Sequence, residues 1–337
     1  MWVSGEKRGD GSVVRVLSAA DVTRLLDMPS CIREVENAFR ARADGKRASS
    51  SVSGLELGSG GLHAKLGALD LSRRYAAAKI NANFPDNPVK LGLPTVQGVV
   101  VLFDASSGVP LACMDSRTIT ATRTAAASAV AAARLALAHA SSVTFIGCGV
   151  QARVHLAALC EVRPIVRLTA FDTDVEAVER FVGEINDAGR IAAQGATNLR
   201  EAARSSAIVV TSTPSRHPLL DVGDVREGTF IAAVGADNEY KQEIAPALLH
   251  AAAVIVDDLD QCSKIGDLHH ALDAGIMRPE DVRGSLDQVV AGLRPGRVDD
   301  KEIIIFDSTG VAIEDVAAAA LVYERAEKLE VGLLVSS

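Results

Sequence analysis

The sequence predicts an α/β protein, a Rossmann doubly wound parallel sheet joined to an α+β domain that contributes substrate groups. Three observations predict it. The apolar run Val143-Thr144-Phe145-Ile146 enters the turn Gly147-Cys148-Gly149-Val150-Gln151-Ala152, and a helical pattern leaves it. From 143 to about 307, short apolar runs alternate with helical patterns, the signature of parallel strands joined by crossover helices. The next apolar run, 166–171, ends in Asp172.

Each part of the turn has a physical reason. The first glycine bends strand into helix, the second lets the backbone approach a pyrophosphate, and Ala152 keeps helix and sheet close. An acid at position 172 can hydrogen-bond the adenosine ribose hydroxyls of NAD and would repel a 2′-phosphate. NAD is therefore the expected cofactor, with a basic neighbour able to soften the preference toward NADP. The competing reading is an ordinary Gly-rich turn in another α/β sheet.

Strands are expected at 143–146, 166–171, 207–211, 230–234, 254–256 and 303–306, with helices at 151–161, 174–188 and 199–205. Upstream, a helix is expected over 20–44, then a Gly/Ser-rich hairpin around 53–61 and strands near Ala77 and Val99. The Ala-rich segment 120–140 favours helix and joins the two parts. A last helix, 313–328, returns to the first domain. The expected division is 1–122 plus 312–337 for the α+β domain, and 123–311 for the Rossmann domain.

A chain of 337 residues, 48% of them hydrophobic, is long enough for two cores. The net charge is −8, and no Lys/Arg cluster is interleaved with aromatics, so no nucleic-acid partner is expected. No apolar run approaches the roughly 18 residues of a membrane span. Residues 1–10 are charged and glycine-bearing rather than signal-like. The expectation is a cytoplasmic protein with no membrane partner. Five widely spaced cysteines without a C-x-x-C pair read as reduced, mostly buried thiols, Cys148 being a small residue tolerated in the turn. His269-His270 lacks metal-ligand spacing, and no metal site is expected.

Three residues stand out for chemistry. Lys79 lies within the apolar run Ala76-Ala77-Ala78-Lys79-Ile80-Asn81, where burial would lower its pKa. A lysine at a wet strand edge is the competing reading. Arg123, in Thr120-Ala121-Thr122-Arg123-Thr124-Ala125, is the only charge between Arg117 and Arg134, and either grips a carboxylate or is solvated on a helix. Asp237 follows a strand in Ala233-Val234-Gly235-Ala236-Asp237, at the carboxyl end where open α/β sheets bind ligands, unless it only caps a turn.

The order of these segments closely resembles the ornithine cyclodeaminase/mu-crystallin family. The resemblance rests on Gly92-Leu93-Pro94-Thr95-Val96, the segment 104–110, Thr120 to Ala126, the Gly147–Ala152 turn, Val234-Gly235-Ala236-Asp237 and Ile305-Phe306-Asp307-Ser308-Thr309-Gly310. It covers nearly the whole chain after about Val16. It implies that Lys79 and Arg123 hold the substrate carboxylate and that Asp237 is the acid/base. It places Thr95, Arg123, Gly147, Gly149, Val150, Gln151, Asp172, Val234, Lys241 and Ser308 around the cofactor. It also implies a homodimer, making the α+β domain the one for substrate binding and dimerisation. Members often carry a second carboxylate-binding arginine, for which only Arg47 is available here. Where ornithine-specific members place an acid for the side-chain amine, this chain reads Leu62-His63-Ala64-Lys65-Leu66, and Lys65 there disfavours a diamine.

The activity this implies is an NAD(P)-dependent oxidoreductase that reduces a small α-imino acid (ketimine) to an amino acid, or runs as an amino-acid dehydrogenase. Ornithine cyclodeamination to proline and ammonia, with NAD recycled, is the alternative. A non-catalytic binding protein is a third reading, opposed by the joint presence of Lys79, Arg123 and Asp237.

Overall fold

Two large sheets and a two-stranded one organise the chain, and the computed structural model describes it over residues 13–45 and 48–336. The first part runs β1 (Val13–Leu17), α1 (Ala19–Leu25), α2 (Met28–Ala43), β2 (Ala48–Glu56), β3 (Gly61–Asp70) and β4 (Arg74–Asn83). A short α3 (Asn87–Leu91), β5 (Val96–Asp104) and β6 (Pro110–Asp115) lead into α4 (Ser116–Leu135). Alternation then begins with β7 (Ser142–Ile146), α5 (Val150–Val162), β8 (Arg167–Phe171), α6 (Val175–Asp187), β9 (Ala192–Gly195), α7 (Leu199–Arg204) and β10 (Ile208–Thr211). It continues through β11 (Arg216–Leu220), β12 (Phe230–Ala233), β13 (Gln242–Ile244), α8 (Pro246–Ala251), β14 (Ala253–Val256), α9 (Leu259–Ile265) and α10 (Asp267–Asp273). The chain closes with β15 (Gly284–Ser285), α11 (Leu286–Val290), β16 (Ile304–Asp307), α12 (Ala312–Lys328) and β17 (Leu333–Ser336).

The second sheet has the order β15-β14-β16-β12-β10-β7-β8-β9. All its pairings are parallel. Its strand order reverses beside β7, at the junction with β10, the switch point where open α/β sheets bind ligands. The runs of β7, β10, β12 and β16 are buried along their whole length and mostly apolar, as central strands of a covered parallel sheet are, Ser142 and Thr144 being buried polar residues of β7. The first sheet has the order β17-β1-β6-β5-β4-β3-β2 and is antiparallel apart from β1 on β6. One of its faces is covered by α12.

Small residues bring the two parts close. Ala125, Ala126, Ala127, Ala129, Ala131 and Ala132 of α4 are wholly buried, and α4 packs on α2, α5 and α12. On β3, a Cβ at Gly67 would stand 2.9 Å from the Ala312 side chain and 3.0 Å from its backbone, so only glycine there lets α12 lie this near the sheet.

One expectation is corrected. The helix expected over 20–44 is two helices, because Asp27 is extended and caps α2 through Ser30 N, and Pro29 has no N–H to continue α1. Helix α4 runs unbroken through positions 122 and 123. The strands β9 and β15, four and two residues long, were too short and too weakly apolar to read. All five cysteines are free thiols, Cys160 being exposed and Cys113 half-buried. Among the described residues no helix is long and apolar enough to cross a membrane, and no cluster of metal-ligating side chains occurs. The reading of residues 1–10 lies outside the described residues.

Candidate functional site

The turn after β7 has the geometry its glycines suggest. Gly147 has φ +97°, and a Cβ there would stand 2.8 Å from Ser212 O at the end of β10. Its N–H donates to Phe171 O at 2.9 Å, which ties β7 to β8. Gly149 is the N-cap of α5, no side chain caps that terminus, and a Cβ on Gly149 would meet nothing within 4 Å. The space over the helix N-terminus is thus open, and its first-turn N–H groups suit an anion.

Asp172 stands at the carboxyl end of β8. Its Oδ2 accepts from Cys148 N at 2.7 Å and its Oδ1 from Asp174 N at 3.0 Å, so the acid is fixed against the turn. Arg153 latches the turn from the other side, donating to Cys148 O at 2.8 Å and Gly149 O at 3.1 Å while paired with Glu184. Val150 is exposed at the mouth, and Gln151 Oε1 is buried with no partner among the described residues. Burial and the neighbouring Asp172 push the Cys148 thiol up to about 12, so it stays protonated. These residues fit a dinucleotide: N–H groups for the diphosphate and a carboxylate for the adenosine ribose.

A second cluster forms where β3, β4, α4 and α12 meet. Lys65 and Lys79 are direct neighbours in register across β3 and β4. Lys79, 2% exposed, donates from Nζ to Asp315 Oδ1 at 2.8 Å. Arg123, 3% exposed, donates from Nε to the same oxygen at 2.9 Å and from Nη1 to Glu314 Oε2 at 2.8 Å. Lys65 Nζ donates to Thr309 O at 2.9 Å and Gly310 O at 2.6 Å, in the loop that leaves β16. The cations therefore sit at the carboxyl edge of the parallel sheet.

Burial governs the charges. It pulls the Lys79 ammonium down to about 7, aided by Arg123 and Lys65 and opposed by Asp315. It pushes the Glu314 carboxyl up to about 7, against the Arg123 guanidinium. Burial also pushes Asp315 up, but Arg123, Lys79 and Lys65 outweigh it and hold that carboxyl below the usual range. Lys65 is lowered by burial and by Arg123.

Beside this cluster lies a crevice of about 740 Å³ between β2 and β3 on one side and the loops after β12 and β14 on the other, with His63, Asp237, Tyr240, Gln261 and Ile313 in its walls. Asp237 leaves 48% of its side chain open to the crevice although protein crowds it elsewhere. That crowding raises its carboxyl, but Lys241, with Nζ 2.7 Å from Asp237 Oδ1, outweighs it together with Lys65 and His63 and keeps the group ionised. Behind it, buried Glu243 accepts from Thr211 Oγ1 at 2.7 Å, Thr213 N at 2.7 Å and Gly235 N at 2.8 Å, pinning the ends of β10 and β12.

Of the residues singled out in the sequence, the structure joins Lys65, Lys79 and Arg123 in one cluster. Asp237 and Lys241 form a pair at the crevice, and Gly147, Gly149, Val150, Gln151 and Asp172 surround the turn. Val234 lies at the end of β12, its N–H donating to Thr211 O at 3.0 Å. Ser308 is buried and donates to Asp257 Oδ2 at 3.3 Å, and the Thr95 carbonyl accepts from Phe84 N at 2.9 Å. Arg47 lies outside the described residues. His269 and His270 bond the carbonyls of Gly266 and Lys241, a structural use.

Sequence reasoning missed Glu314, Asp315 and Glu243. The signal for the first two was two acids in the first turn of an otherwise Ala-rich apolar helix, where the helix dipole favours them but burial demands cations.

The sequence profile described as the ornithine cyclodeaminase/mu-crystallin family matches residues 12–330. The chain belongs to this family. Alanine dehydrogenase of Archaeoglobus fulgidus is 41% identical over 317 residues, spanning 94% of this chain and 96% of that protein. A solved archaeal alanine dehydrogenase dimer with bound NAD superposes with a TM-score of 0.91 at 40% identity, over 96% of this chain and 99% of that one. Thermococcus litoralis Δ1-pyrroline-2-carboxylate reductase, solved with NADH and L-proline, also gives 0.91, at 32% identity over 96% of this chain and 100% of that one. The family's α/β architecture with a parallel sheet is thus shared throughout the described chain.

Proposed function

We propose that this protein is an NAD-dependent oxidoreductase of small amino and imino acids, reducing an α-imino acid or running as an amino-acid dehydrogenase. The observation that carries this reading is the meeting of Lys79 and Arg123 at the carboxyl edge of the parallel sheet, on the same edge as the open turn at Gly147–Ala152. The alanine dehydrogenase and the pyrroline-2-carboxylate reductase, similar over nearly their whole length, support it.

When bound, the nicotinamide supplies or accepts the hydride. The remaining work falls to the chain. Arg123 offers a planar fork and Lys79 a point charge for the substrate carboxylate, which orients the carbon next to it. Lys79, poised near neutrality, keeps a proton available at the imine nitrogen, since a protonated imine is the better hydride acceptor. Asp237, ionised at the crevice wall, accepts a proton from water in the dehydrogenase direction. Asp172 favours NADH over NADPH through its fixed carboxylate.

We also read the protein as a homodimer. The face of the first sheet opposite α12 exposes Leu66, Ile80 and Val99, with Ile80 and Val99 directly paired in register, an apolar surface suited to a second copy. The dimeric archaeal alanine dehydrogenase supports this.

The test is a spectrophotometric screen of Δ1-pyrroline-2-carboxylate, pyruvate plus ammonia, and amino acids with NAD(H) and NADP(H), with product identification. NADH oxidation by an imino acid is expected. Ammonia release from ornithine with catalytic NAD⁺ and no net absorbance change would overturn the reading in favour of cyclodeamination.

A further inference from the structure

The clamp contains a buried carboxylate, Asp315, that among the described residues hydrogen-bonds only the clamp cations. Asp315 Oδ1 accepts from both Lys79 Nζ at 2.8 Å and Arg123 Nε at 2.9 Å, and Oδ2 has no hydrogen bond among the described residues. All the hydrogen bonding of this buried carboxylate is therefore spent on the two clamp cations. Its neighbour Glu314 differs, since Glu314 Oε1 also accepts from Val311 N at 3.4 Å and so closes the start of α12.

Charges surround Lys79 from every side. Lys65 stands opposite it on β3, Arg123 reaches in from α4, and Asp315 and Glu314 come from α12. Asp257, at the end of β14, acts on Lys65, Arg123 and Glu314, and Asp237 acts on Lys65 from the crevice. Burial, joined by the cations Arg123 and Lys65, pulls the Lys79 ammonium down, and the Asp315 carboxylate in direct contact opposes them. A neutral amine cannot attract a carboxylate.

We propose that Asp315 is the positioning residue of the clamp, fixing the separation of the Lys79 ammonium and the Arg123 guanidinium through one shared oxygen and keeping Lys79 charged for the substrate carboxylate. This deepens the imino-acid reading above and rests on it. The position of Lys79 near neutrality supports it, because a modest change in its surroundings then moves its charge across the working pH range. The short Gly67–Ala312 approach supports it as well, since it holds α12 close against β3, the strand paired with β4.

The experiment compares wild type, Asp315→Asn and Asp315→Glu, each first shown to bind NADH within about threefold of wild type by fluorescence quenching, a change below ~0.7 kcal/mol. Asparagine removes the charge that raises Lys79. The pH at which kcat/KM for Δ1-pyrroline-2-carboxylate falls off on the alkaline side is then expected to drop by about one unit or more, with about a tenfold loss at pH 8. Glutamate keeps the charge but misplaces it, so the alkaline limb is expected to stay in place while KM rises. An unmoved limb with unchanged KM in Asp315→Asn overturns the proposal. If that variant does not fold, an unchanged KM in Asp315→Glu overturns it. Pyruvate binding to the NADH-loaded protein, followed by calorimetry against pH, reads the same limb without turnover. Failure of the wild type to reduce imino acids would sink the parent reading alone, whereas failure to bind pyruvate at any pH would sink both.

Discussion

Replacing Gly310 with alanine perturbs the clamp without removing a charge. Gly310 has φ +74°, and its new Cβ would overlap Arg123 Nη1 and stand 3.0 Å from Nη2 and 3.1 Å from Cζ. The left-handed backbone costs an alanine roughly 1–2 kcal/mol. The guanidinium must also retreat, stretching the 2.8 Å bond from Nη1 to Glu314, and a hydrogen bond between charged groups is worth about 1.5–3 kcal/mol. If half of that contact, about 0.75–1.5 kcal/mol, serves the substrate carboxylate, KM rises about 4- to 13-fold, while the NADH dissociation constant is unchanged. The combined loss of about 3 kcal/mol lowers Tm by roughly 6–12 °C. The assay is NADH-dependent reduction with varied imino acid, NADH titration by fluorescence, and a thermal melt. A folded Gly310→Ala protein whose KM stays within about twofold of wild type would refute the claim that Arg123 grips substrate from its observed position.

Three other outcomes are expected. Burial holds the His155 imidazole down to about 4, against 6.5 when unfolded, so the unfolded chain binds the extra proton between those values. Stability then falls as pH drops from about 6.5 toward 4, by about 3 kcal/mol in all, and urea titrations should show this slope flattened in His155→Gln; an identical slope would contradict the assignment. Asp172→Ser should raise the NADPH-to-NADH ratio of kcat/KM by about tenfold, because the repulsive carboxylate beside the turn is gone, and an unchanged ratio argues against its ribose role. Ile80→Glu should shift sedimentation from dimer to monomer, since burying an unpaired carboxylate on the open sheet face costs several kcal/mol, at roughly 2 or more. A dimer that survives this change uses another face.

Much of the architecture was legible because its causes are local. A strand buried on both faces, a glycine needed at φ +97° just after it and an acid closing the next strand all fall within one strand-helix-strand unit. The break between α1 and α2 was not read, because the apolar period running through 20–44 masked the stop signals Asp27 and Pro29. The short β9, with Ala192, Ala193, Gln194 and Gly195, carries no strand composition and exists because β8 offers it an edge to pair with.

By itself, the order of residues determined the parallel sheet, its dinucleotide turn and the two cations at 79 and 123, since periodicity, turn chemistry and an ion inside an apolar run are properties of neighbouring positions. Only the tertiary structure decided what those cations touch. Lys79 meets Asp315 across 236 positions of chain and Arg123 meets Glu314 across 191, distances over which no spacing rule operates. Close approach of α12 to the first sheet, permitted by Gly67 and Ala312, and the exclusion of water that makes each buried charge demand a partner, produced those pairs.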